Sequence, residues 1–133
     1  MSRYNASNCI IGGTDINYGI VFWKALDTLV GSSRLVIDRP KGSRHPVFPE
    51  IVYPVDYGYL ENTTSMDGHG IDVWRGTKPS GKFDAIICTV DLMKRDSEIK
   101  LLSGCTVEEK KIIIEFHNQG ELMKGLFVER NRT

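Results

Sequence analysis

A chain of 133 residues suits one domain with a modest core, and its 17 Lys and Arg balance its 17 Asp and Glu. That balance gives no global attraction for nucleic acid or an anionic membrane. The start, Met1 to Asn8, has no apolar signal core and no run is long enough to span a bilayer, so a cytoplasmic protein is expected. Cys9, Cys88 and Cys105 are an odd set without metal-type spacing and read as free thiols.

Residues 1–17 are polar and glycine-bearing and read as a poorly ordered arm or a lid. Residues 18–31 predict a lead-in helix whose inward face is Val21, Phe22, Ala25, Leu26, Leu29 and Val30, with Gly31 as its C-terminal cap. Residues 34–44 predict a strand running into a basic turn. From Glu50 to Arg75 the chain reads as two strands joined by a polar loop. Ile51, Tyr53, Val55, Tyr57 and Tyr59 share one parity, and Asn62 to Gly70 is rich in turn residues. Asp67 and Asp72 bracket Gly68 and Gly70, whose freedom lets the backbone fold back so that both carboxylates meet one hard cation.

Phe83 to Val90 is an apolar strand, followed by Asp91 to Asp96 and a strand from Ser97 to Leu102. Lys100 shares strand parity with Asp96 and so faces the same side. Thr106-Val-Glu-Glu109 is a capping box that opens a helix, which Asn118-Gln-Gly120 ends. Residues 119–133 form a tail with a strand-like Gly125 to Glu129. One domain spans 1–133 in this reading, with its core at 34–118.

Tyr53-Pro-Val-Asp-Tyr-Gly-Tyr59 followed by Asp67-Gly-His-Gly-Ile-Asp72 resembles the signature region of the first family of soluble inorganic pyrophosphatases. Three flanking segments carry the same resemblance in the same order: Val36-Ile-Asp-Arg-Pro-Lys-Gly-Ser43, the step from Asp91 to Asp96, and Ile113-Ile-Glu-Phe-His-Asn118. The chain is thus similar to a short, divergent member or paralogue of that family. The resemblance implies a mainly β, α+β architecture: a closed five-stranded barrel of the OB type with helices packed outside. It also implies a homo-oligomer and a small phosphorylated substrate; a nucleic-acid-binding barrel is disfavoured because acidic residues cluster where a basic, aromatic groove would be required.

By the same resemblance Asp67, Asp72, Asp91 and Asp96 hold Mg²⁺, with Asp38 acting through water, and Tyr57 contacts phosphate or a coordinated water. His69 stands where the family carries the carboxylate that takes the proton from the attacking water. An imidazole is a general base at neutral pH, and it is a better partner for Mn²⁺ or Zn²⁺ than for Mg²⁺. A solvated loop histidine is the plainer reading. The phosphate grip departs most. Glu98, His117 and Asn118 stand at positions the family gives to lysine, tyrosine and lysine, and a hairpin carrying two phosphate ligands is shortened away after Ser43. Lys41, Arg44, His45 and Lys100 are the remaining cationic candidates, with His117 beside them. The expected activity is metal-dependent hydrolysis of pyrophosphate or a related phosphoanhydride or ester. The alternative is a catalytically weak paralogue that binds a divalent ion or a phosphorylated ligand.

Overall fold

The computed structural model describes residues 9–16 and 18–130. A two-stranded hairpin opens it, β1 (Cys9–Ile11) against β2 (Thr14–Ile16), where an unstructured arm was expected. The rest of the expected arm, residues 1–8 and 17, lies outside the described residues. Then follow α1 (Gly19–Gly31), β3 (Leu35–Arg39), β4 (Asp56–Leu60), β5 (Asp72–Arg75), β6 (Phe83–Asp91), β7 (Asp96–Ser103), α2 (Val107–Phe116) and β8 (Met123–Glu129). Among the described residues, no helix is long and apolar enough to cross a membrane.

The fold is mixed α+β, built on a six-stranded sheet in the order β3-β4-β5-β7-β6-β8. All neighbours are antiparallel except β5 and β7. A closed five-stranded barrel was expected, but the sheet is not closed: β3 and β8 are its edges and are not paired with each other. The sixth strand comes from the tail, where Met123–Glu129 pairs with β6 along its whole length.

Both faces of the sheet carry a core, although on the α1 side Val90, Ile99 and Leu126 stay exposed toward the β6–β7 hairpin tip. Successive residues of the central strands alternate between two cores, Trp74, Ile87 and Leu102 entering one and Val73, Ile86 and Leu101 the other. This is why these strands read as continuous apolar runs. Each fully buried Leu or Ile among them contributes about 1.5–3 kcal/mol.

Helix α1 covers the second core through Trp23 and Leu26, with Val30 packed beside them, a spacing of three and then four residues. The expected inward face is therefore corrected: Val21, Phe22 and Leu29 point to solvent. Arg130, just after β8, fixes the helix by a two-pronged pair with Asp27 (2.8 and 2.9 Å) and lies over the Trp23 ring. Gly31 is the last helical residue, and Ser32 takes the cap position expected for it.

Helix α2 closes the first core through Ile113, with Ile114 and Phe116 packed against it. Its capping box forms as read: Thr106 Oγ1 accepts from the Glu109 amide (3.1 Å) and Glu109 Oε1 accepts from the Thr106 amide (2.8 Å). Lys110 is also turned inward, and its ammonium meets Asp84 (3.1 Å) and Glu129 (2.6 Å).

Two irregularities place side chains for the site. β3 carries a bulge at Asp38, since Ile37 pairs with Gly58 and Arg39 with Tyr57. Opposite it, Gly58 lets the two strands approach: an added Cβ would lie 1.8 Å from the Val36 carbonyl oxygen.

Candidate active site

On the α2 side of the sheet a cleft of about 990 Å³ opens between β3, β4, β7, the polar loop and the end of α2. Of the residues singled out in the sequence, Asp38, Tyr57, Asp67, His69, Asp72, Asp91, Lys100 and His117 all line it. They come from segments spread over most of the chain, and the sheet brings them together. Asp96, Lys41 and Arg44 do not line the cleft. Asp96 faces Asp91 across the closing turn of the β6–β7 hairpin. The Lys41 amide donates to Asp56 (2.8 Å), and Arg44 donates to the Pro49 carbonyl (2.9 Å).

The centre of the polar wall is Lys100. Its ammonium donates to Asp72 Oδ2 (2.8 Å), Tyr57 Oη (3.0 Å) and Glu98 Oε1 (3.2 Å). Tyr57 in turn donates its hydroxyl to Asp72 Oδ2 (2.6 Å). Strand parity explains the grouping, because Glu98 and Lys100 lie on one face of β7, and β5 runs alongside it. Burial pushes the Tyr57 phenol well above its ordinary range, so it remains a neutral donor. Burial works against the Lys100 charge, but the Tyr57 oxygen and the Asp72 carboxylate outweigh it and raise its pKa. Lys100 is a fixed cation at any working pH.

Asp67 is held by a tight turn. Ser65 Oγ (2.8 Å) and the His69 amide (2.9 Å) both donate to its Oδ1, and Gly68 supplies the positive φ of +81° that the turn needs. Burial opposes the Asp67 charge, and these two donors overcome it, so its carboxyl lies below the usual range. Ser65 also links the turn to Glu98 (3.4 Å). His69 is exposed at the rim. Asp91 uses Oδ1 to accept from the Met93 and Lys94 amides (3.0 and 3.1 Å), which makes it a turn aspartate as well as a lining one.

His117 and Asn118 serve the scaffold. Trp74 donates its indole N–H to His117 Nε2 (3.0 Å), and His117 Nδ1 lies 3.3 Å from the Met123 sulfur. Asn118 exchanges hydrogen bonds with the Gly125 backbone in both directions (both 3.1 Å), tying the end of α2 to β8. Burial, with Lys100 adding to it, drives the His117 pKa from 6.5 down to about 3. The unfolded chain therefore binds a proton here that the folded chain refuses. The stability contribution is complete above about pH 6.5 and is lost as pH falls toward 3, with a slope of up to about 1.4 kcal/mol per pH unit. Urea melts between pH 7 and 4 should show His117→Gln losing less stability on acidification than the parent. Equal losses would mean that His117 is not buried in the neutral form.

Four charged lining residues were not among the sequence's site candidates: Arg39, Glu50, Lys94 and Glu98. Arg39 donates to the Tyr53 hydroxyl and lies over the Tyr53 ring. With them counted, six carboxylates (Asp38, Glu50, Asp67, Asp72, Asp91 and Glu98) face three cations (Arg39, Lys94 and Lys100). A cleft so lined repels a bare polyanion and attracts cations. Among the described residues, no three His, Cys, Asp or Glu side chains converge to cage a metal ion. The oxygen-rich, dispersed donor set still suits Mg²⁺, which keeps several waters and is held by one or two carboxylates together with substrate phosphates. Cys88 and Cys105 are free thiols away from this lining, and burial pushes Cys105 up to about 12. No family model matches the chain, and no curated protein matches it significantly.

Proposed function

We propose that the chain is a metal-dependent hydrolase of phosphoanhydride bonds, of the inorganic pyrophosphatase type. The observation that carries this reading is the convergence of Tyr57, Asp67, His69 and Asp72 with Asp38 and Asp91 on one acidic cleft. Lys100, two residues past the position that the family gives to lysine, would partly replace it inside the cleft, beside Glu98. Kinship with the family's barrel is part of the same proposal, with β8 as an added edge strand.

Asp67 and Asp72 would hold Mg²⁺, with Asp38, Asp91 and Glu98 around them. Bound Mg²⁺ supplies positive charge to phosphoryl oxygens and makes a coordinated water more acidic. The chain's own groups do the rest. Lys100 supplies a permanent positive charge to the phosphoryl site, and Tyr57, a neutral hydroxyl beside it, orients Asp72. His69 takes up the proton of the attacking water. Arg39 and Lys94 stand in for the shortened basic hairpin.

This reading predicts that ligand and metal bind together. Calorimetric titration of imidodiphosphate should show at least about tenfold tighter binding with Mg²⁺ than without it. Binding that ignores Mg²⁺ would overturn the proposed metal dependence. The second reading, a weak paralogue that binds a phosphorylated ligand, is favoured by one observation: Lys100 already neutralises Asp72 of the motif and Glu98 beside it.

A further inference from the structure

We propose that the substrate is a diphosphate ester carrying a planar aromatic group, as a nucleoside diphosphate does, rather than bare pyrophosphate. This inference rests on the polar wall being the phosphoryl site. At about 990 Å³ the cleft is far larger than pyrophosphate, and it lies at the upper end of the range for organic ligands.

Its second wall is aromatic, with His45 and Phe48 at the surface and Tyr53, 5% exposed and part of the first core, behind them. The Tyr57 ring, beside Lys100, lies 5.2 Å from Tyr53, and the His45 ring lies nearly parallel to Tyr53 (10°) at 6.4 Å. Phe48 follows at 5.3 Å from His45. Arg39, over the Tyr53 ring, stands at the junction between the charged wall and the aromatic one.

The lip that carries Phe48 is built to present it. His45 Nδ1 accepts from the Val47 and Phe48 amides (3.0 and 3.1 Å), and Phe48 O accepts from the Ile51 amide (2.9 Å). Pro46 and Pro49 stiffen both sides of the turn. The result is an ordered loop that holds Val47 68% exposed and Phe48 40% exposed over the cleft. Phosphate oxygens gain nothing from such a surface. A planar ring does, by stacking on Phe48 and His45, while the diphosphate reaches Arg39 and Lys100. In the reaction, water attacks the terminal phosphorus and its bond to the bridging oxygen breaks. Phosphate and the organic monophosphate leave, and the water's protons pass to the released phosphate and to solvent.

The test is calorimetric binding of ADP, an alkyl diphosphate and pyrophosphate to the full chain in Mg²⁺, with phosphate release assayed beside it. ADP should bind about tenfold more tightly than either of the others, the scale of one stacked ring. Phe48→Ala should cut that preference about tenfold, and Val47→Ser, at a solvent-facing position, should reduce it without endangering the fold. Pyrophosphate or the alkyl diphosphate binding as tightly as ADP, or a preference unmoved by both substitutions, would overturn the inference. ADP bound but never hydrolysed would leave the substrate class standing and sink only the hydrolase reading.

Discussion

Replacing Lys100 by leucine is expected to destabilise the metal-free protein by about 3–5 kcal/mol, the usual cost of removing one partner from a buried ion pair. The lysine side chain is only 8% exposed, and Glu98 and Asp72 beside it are 10% and 21% exposed. Without the ammonium, two carboxylates on neighbouring strands repel each other in a poorly hydrated wall, and the Tyr57 hydroxyl loses a donor. Leucine fills the apolar stem, so the loss reads out the charge and not a cavity. Denaturant melts should show a lower midpoint with an unchanged slope. Because Lys100 also competes with any cation for Asp72 and Glu98, Mg²⁺ should restore part of the lost stability in the variant and do less for the parent. A variant as stable as the parent would show that Lys100 is solvated and does not organise the wall.

Asp72→Asn should lower turnover by about two to three orders of magnitude while leaving the fold intact. Asparagine keeps an oxygen to accept from Tyr57 and Lys100, so the hydrogen bonds of the wall survive and only the negative charge goes. Calorimetry with Mg²⁺ and imidodiphosphate should lose the metal-dependent enhancement in the same variant. If turnover and metal coupling both survive, Asp72 is a structural partner of Lys100 and the metal is held elsewhere.

The sequence made the cleft legible wherever strand parity runs unbroken. The turn at Asp67 and the capping box at Thr106 stand as read, and Tyr57 and Tyr59 lie on β4, but the strand read from Ile51 begins only at Asp56, after a single bridge at Val52 and a bend at Pro54 and Val55. Arg39 was hidden by the bulge at Asp38, which lets two consecutive residues of β3 line the same cleft. No period-two reading can reveal that. Asp96 and Glu98 share a parity, so only the hairpin register, which sets Asp96 opposite Asp91 at the tip, decides which of them reaches the cleft. The inward face of α1 was misread because the segment is apolar nearly all round, and the choice of Trp23 and Leu26 is made by the sheet they cover. Openness of the sheet depends on where the tail strand pairs, a long-range choice that local pattern leaves open.

The most direct test of the central claim is phosphate release from pyrophosphate and ADP, followed with Mg²⁺, Mn²⁺ or Zn²⁺ and with a chelator. Release should require the divalent ion, stop with the chelator and collapse in Asp72→Asn. Release that is indifferent to metal, or none from a protein that demonstrably binds the ligand and Mg²⁺, would contradict that claim.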